Sequence, residues 1–212
     1  MNYTPSVTRP LRIGVLASHE GSTLQAILDA CAAARIAAEV AVVISNNGGS
    51  GALRRARAAG AAALHLSSKT HPEPDALERA IVQALEEREV DVVMLAGYMK
   101  KVQAGLLARF QGRVLNTHPA LLPKFGGHGM YGMSVHEAVL AAGETESGSS
   151  MHLVDAEYDT GRVLEQVRVP VLADDTAATL AARVQEHERR LVVDVLGRIA
   201  QGDVRLDGLR RW

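Results

Sequence analysis

Short apolar runs alternate with segments of helical periodicity along the first half of this chain, and that alternation limits the folds open to it. Leu11–Ala17 (LRIGVLA), Glu39–Ser45, Ala62–Leu66 and Val90–Ala96 read as strands. Between them, Leu24–Ile36, Gly51–Ala59 and Asp75–Arg88 repeat apolar residues at helical spacing, and a loop near Pro72 and Pro74 precedes the last of these. Gly105–Phe110 then leads into Arg113–Asn116. Strands that are apolar throughout are buried on both faces, which implies a parallel sheet with crossover helices on each side. Only 3% of residues are aromatic, so the core has to be built from Ala, Val and Leu. Ligands of such sheets collect at the carboxyl ends of the strands.

The second half changes character. Ser149–Val154 and Gly161–Val171 look like two strands joined by the turn Glu157–Thr160, an antiparallel pair that would close one side of the sheet. Ala177–Ile199 reads as a long helix ended by Gly202. The expected fold is therefore α/β: a doubly wound, Rossmann-like, mostly parallel sheet with helices on both faces and an antiparallel C-terminal strand pair. One domain over 1–212 is expected, with residues 1–10 as a flexible N-terminal extension. Lys and Arg number 23 against 24 Asp and Glu, which disfavours a nucleic-acid partner. No apolar run is long enough to cross a bilayer and residues 1–9 lack a signal-peptide pattern, so a cytoplasmic protein without membrane partners is expected. The single cysteine, Cys31, reads as a small buried hydrophobe, and a disulfide framework or Cys-based zinc cluster is excluded.

Two segments carry chemistry. His19-Glu20-Gly21-Ser22-Thr23 lies between the first strand and first helix, where backbone N–H groups and the helix terminus can hold a phosphate. It is neither a dinucleotide fingerprint nor a Walker A sequence, and Ser22 could equally be a helix cap. Asn116-Thr117-His118-Pro119-Ala120-Leu121-Leu122-Pro123 directly follows a strand, so alternation points Asn116 and His118 to one face. An amide that stabilises a tetrahedral oxyanion beside an imidazole that handles a proton suits acyl transfer to an amine. Pro119 and Pro123 would stiffen the loop. Asp159, in the turn Asp155–Gly161, could raise the His118 pKa if the turn folds back over the strand ends; it could also be an ordinary turn residue.

The blocks GVLASHEGSTLQAI, DVVMLAGYMKKV, VLNTHPALLPKF, SVHEAVLAAGETESGSSMHLVDAEYDTGRVL and RVQEHE, in this order and spacing, resemble the folate-dependent phosphoribosylglycinamide formyltransferases from about Leu11 to Ala200. That resemblance implies a single formyltransferase domain acting on glycinamide ribonucleotide and 10-formyltetrahydrofolate, without a metal, as a monomer or homodimer. It makes Asn116, His118 and Asp159 the catalytic residues. Gly21, Ser22 and Thr23 would hold the ribonucleotide phosphate, and Glu188 the ribose hydroxyls. Met99, Lys100, Lys101 and Val102 would form one wall of the folate site, with Asp155, Ala156, Glu157 and Tyr158 opposite. His136 falls at a helix-start histidine expected to play a supporting part.

The sequence also departs from the family pattern. His19-Glu20 replaces Gly-Asn, Thr23 replaces Asn, Arg189 replaces His, and Gln185 stands at a position often basic. Phe125–Met133 (FGGHGMYGM) is longer than the common loop and carries His128 and Tyr131. Alternatives with the same core are 10-formyltetrahydrofolate hydrolase, whose extra N-terminal domain is not expected here; methionyl-tRNA formyltransferase, which adds a C-terminal domain; and a formyltransferase for another amine. An inactive folate- or nucleotide-binding module and a Rossmann dehydrogenase complete the alternatives, the latter without its glycine fingerprint.

Overall fold

Seven strands pair into one sheet in the order β3-β2-β1-β4-β5-β6-β7. The computed structural model describes residues 9–73, 75–207 and 209. The strands are β1 (Leu11–Ala17), β2 (Ala38–Ser45), β3 (Ala62–His65), β4 (Val92–Leu95), β5 (Val114–His118), β6 (Glu146–Leu153) and β7 (Val163–Pro170). The helices are α1 (Ser22–Ala32), α2 (Gly51–Ala58), α3 (Ala76–Glu86), α4 (Ala104–Arg109), α5 (Met133–Ala141) and α6 (Ala177–Gln201). β1 to β5 pair in parallel, while β6 runs antiparallel to both β5 and β7. This is the sheet expected from the apolar runs.

Alternation along each central strand feeds two opposite cores. Ile13 and Val15 of β1, Val43 of β2 and Val92 and Met94 of β4 join Ile27 of α1 and Leu191, Val195 and Ile199 of α6. Their neighbours Leu16, Val42, Ile44, Val93 and Leu95 turn the other way, onto Ile81 and Leu85 of α3 and Leu106 of α4. Gly14 lets α3 sit directly on the sheet, since a β-carbon there would lie 2.4 Å from Leu85 Cδ2. The chain runs from β1 outward to β3, then returns to lay β4 on the other side of β1. The loops after β1 and β4 therefore flank the crevice at the point where the winding reverses, where ligands of doubly wound sheets bind.

Element ends differ from expectation where local closure intervenes. α1 stops at Ala32, because Ala34 is left-handed (φ 51°) and the Arg35 N–H bonds back to Ala30 O at 2.9 Å. The apolar periodicity runs on to Ile36, which is buried but leads into β2. β4 is shorter than Val90–Ala96, since the Val90 N–H still closes onto Leu85 O at the end of α3. α5 was not legible from periodicity: it buries the adjacent pair Val135 and His136 with Val139, and it begins at Met133, the last residue of the loop expected over 125–133. α6 starts in a capping box between Thr176 and Thr179 and ends on left-handed Gly202. Cys31 is half-buried against the first core, and burial pushes its thiol up to about 11, as suits a residue there for packing. The expected N-terminal extension lies, for residues 1–8, outside the described residues, as does Pro74. Among the described residues no helix is long and apolar enough to cross a membrane.

Candidate active site

The end of β5 carries Asn116 and His118, and the antiparallel register sets Asn116 opposite His152 of β6. The Asn116 amide nitrogen lies 3.1 Å from His152 Nε2, while His152 Nδ1 lies 2.9 Å from Leu153 O. A carbonyl only accepts, so Nδ1 donates to it, and the Asn116 amide donates to Nε2. The same reasoning puts the His118 proton on Nε2, which is 2.6 Å from Phe125 O. His118 Nδ1 faces Asp159 Oδ2 at 3.4 Å, and the other oxygen of Asp159 is 3.5 Å from His152 Nε2. Asp159 also accepts the Gly127 N–H at 3.0 Å, and its own backbone is left-handed (φ 58°). Two histidines, an amide and a carboxylate thus converge across three chain segments.

Burial sets the resting charge of this cluster. It pushes the His118 pKa below its ordinary value, and the opposing pull of Asp159 and of the Phe125 carbonyl is smaller. The expected upward pull of Asp159 on His118 is present, but desolvation outweighs it. For Asp159 burial pushes upward, yet His152 and His118, whenever they carry a proton toward it, and the Gly127 N–H pull the carboxyl below its usual range. His118 is thus a neutral imidazole with a carboxylate waiting beside Nδ1, ready to accept a proton there. Buried His136 of α5 has no hydrogen-bond partner on Nδ1, and burial keeps it neutral too, with His118 opposing its charge further whenever His118 is protonated.

The turn after β1 is built for open backbone donors. Gly21 is the residue before α1, is left-handed (φ 73°), and makes no side-chain cap; a β-carbon there would lie 2.9 Å from Ala52 Cα. Ser22 is the first helical residue and not the cap, so that reading is overturned. The first-turn N–H groups of α1 have no side-chain cap, and a helix start of that kind can hold an anion. The Glu20 side chain points elsewhere, pairing with Arg54 at 3.2 Å on the exposed side of α2, and the His19 backbone O accepts the Ala52 N–H at 3.1 Å. Thr23 donates to Glu188 Oε1 at 3.2 Å, and Ser149 Oγ lies 3.4 Å from Oε2 and 3.2 Å from His118 O. Glu188 keeps some exposed surface but is closely surrounded by protein, and burial raises its pKa against the Thr23, Thr117 and Ser149 contacts. The Glu188 contacts therefore join the turn to the strand that bears His118.

Across the crevice, Met99–Val102 follow β4 and Asp155–Tyr158 follow β6. Lys101 Nζ lies 5.4 Å from the centre of the Tyr158 ring, and His128 packs edge-on to the same ring at 6.1 Å. The two segments expected to wall the folate site do face each other. Asp155 accepts from the Glu157 N–H and the Thr160 hydroxyl, which shapes its own turn. A cavity of about 620 Å³ opens beside Lys100, Lys101 and Val102, with Leu16, Asn46 and Tyr98 in its wall. The long 125–133 loop enters the cluster through Phe125 O and Gly127 N–H and reaches the mouth with His128. His152, Ser149 and Ser18 were not singled out in the sequence; finding His152 required the β5–β6 register. Among the described residues no three His, Cys, Asp or Glu side chains converge as a metal-ligand set.

Residues 11–196 match the formyl transferase family. The chain is 36% identical to phosphoribosylglycinamide formyltransferase of Escherichia coli over 95% of its length and 93% of that protein. The chain belongs to the phosphoribosylglycinamide formyltransferase family. It is 41% identical to the chloroplastic phosphoribosylglycinamide formyltransferase of Vigna unguiculata over 95% of its own length, and spans 65% of that plant relative. The solved glycinamide ribonucleotide transformylase 1 of Symbiobacterium toebii superposes with a TM-score of 0.88 at 38% identity, covering 99% of this chain and 96% of that one. The sheet order and antiparallel edge described above are thus shared with a member of this family.

Proposed function

We propose that the protein transfers the formyl group of 10-formyltetrahydrofolate to the amine of glycinamide ribonucleotide, in purine synthesis, as a cytoplasmic enzyme of one formyltransferase domain. The observation that carries this reading is the convergence of Asn116, His118 and Asp159 between a turn of open N–H groups and two facing walls after β4 and β6. The ribonucleotide phosphate sits on Gly21, Ser22 and Thr23, and Glu188 accepts from ribose hydroxyls. The folate lies between Met99–Val102 and Asp155–Tyr158.

In this reading the amine nitrogen attacks the formyl carbon and the carbonyl oxygen gains negative charge. Asn116, held by His152, donates to that oxyanion. A proton leaving the amine is accommodated by His118, whose cationic form Asp159 stabilises. The bond from the formyl carbon to N10 then breaks, N10 takes a proton, and tetrahydrofolate leaves. Electrons and protons balance within the two substrates and the site. A hydrolase would use the same cluster with water in place of the amine.

Isotope-labelled 10-formyltetrahydrofolate tests the assignment. Label recovered on the ribonucleotide as formylglycinamide ribonucleotide is the expected result. Label recovered only as formate contradicts it.

A further inference from the structure

Ser18 is buried at 3% exposure, and the catalytic cluster makes no use of it. It is the residue between β1 and the His19–Thr23 turn, at the point where the sheet's winding reverses. Its backbone N–H donates to Gly97 O at 3.1 Å, and its hydroxyl oxygen accepts the Met99 N–H at 2.8 Å. The hydroxyl proton goes to Asn46 Oδ1 at 2.6 Å, in the loop after β2. The helix that this third loop leads into, α2, supports the phosphate turn from behind, because Ala52 bonds His19 O and lies against Gly21. One side chain therefore joins the loops after β1, β2 and β4.

We propose that Ser18 is a positioning residue that couples the two substrate sites, so that ribonucleotide bound at Gly21–Thr23 strengthens folate binding at Met99–Val102, and the reverse. The inference rests on the ligand placement given above. Its physical basis is that the Met99 N–H is fixed on the residue that leads directly into the His19–Thr23 turn. Ordering either loop orders the other, and the second ligand then binds to a partly organised site. Such coupling is reciprocal by necessity and for linked sites is typically about fivefold or more.

Tetrahydrofolate and glycinamide ribonucleotide, which cannot react together, allow the coupling to be measured by calorimetric titration of each, alone and with the other saturating. The wild-type protein should bind tetrahydrofolate roughly fivefold or more tightly when the ribonucleotide is present. Ser18→Ala should bring that ratio to about one while still binding each ligand alone, and Ser18→Thr, which keeps the oxygen, should restore part of it. Asn46→Ala, outside the core, guards against a packing defect and should lower the ratio in the same direction. A wild-type ratio of one, or an unchanged ratio in both Ser18→Ala and Asn46→Ala, overturns the proposal. If the wild-type protein binds neither compound, the ligand assignment fails and takes this inference with it.

Discussion

At the scale of single residues, charge state governs what the site can do. His118 is neutral at rest because burial outweighs Asp159, so it can take a proton without first losing one. His118→Ala should lower kcat by about 10²- to 10⁴-fold, the usual worth of positioned acid–base catalysis, while tetrahydrofolate binding by calorimetry stays near wild type. Activity within a few-fold of wild type would remove His118 from the chemistry. Under the proposed function, Glu188 carries a cost in stability. Its pKa is raised by burial, so the protonated form is favoured in the fold, and the stability it contributes below its unfolded pKa is lost as pH rises through the folded value. At neutral pH the buried charge is a burden, and Glu188→Gln should melt at a higher temperature than wild type there, with the difference shrinking near pH 4, while KM for the ribonucleotide rises. A variant that melts lower at neutral pH would show that Thr23 and Ser149 more than compensate the charge.

At the scale of elements, the sheet was legible and its edges were less so. Apolar runs such as Leu11–Ala17 show which strands are buried on both faces, because nothing else places Ile13 and Leu16 in opposite cores. The Asn116–His118 pairing followed from strand alternation alone. His152 stayed hidden because its role depends on register, a property of two strands together, and α5 because its buried stripe of Val135, His136 and Val139 includes a polar residue among apolar ones that surround the helix. The cap alternative for Ser22 has a similar origin: a serine beside a glycine satisfies a cap pattern, and only the left-handed Gly21 shows that the cap lacks a side chain. Backbone fit at the β6–β7 connection gives a test at this scale. A β-carbon at Gly161 would lie 1.9 Å from Leu153 O, so Gly161→Ala must displace the turn that carries Asp159. That variant should lose activity by roughly the factor expected of a misplaced catalytic group, about 10²-fold, with KM for the ribonucleotide little changed. Full activity in the Gly161→Ala variant would mean that the turn accommodates without moving Asp159.

For the whole molecule, the site sets the response to acid. His118 and His136 both have pKa values lowered by burial, so the folded chain resists protonation that the unfolded chain accepts. The unfolded state then binds more protons below about pH 6.5, and stability falls as pH drops, by up to about 1.4 kcal/mol per pH unit for each histidine. Asp159, whose pKa is lowered, keeps its contribution through this range and loses it only at lower pH. Urea midpoints at pH 7.5 and 5.5 should therefore differ, with the lower midpoint at pH 5.5; equal midpoints would mean these rings are solvated. Under the proposed function, the crevice between the reversing loops, the helix start at Gly21 and the cluster around the paired ends of β5 and β6 serve a single transfer between two bound substrates. The most direct measurement is absorbance-monitored consumption of 10-formyltetrahydrofolate by the purified protein, with and without glycinamide ribonucleotide. Consumption that requires the ribonucleotide is the predicted result, and consumption at the same rate without it, or none in either case, would contradict it.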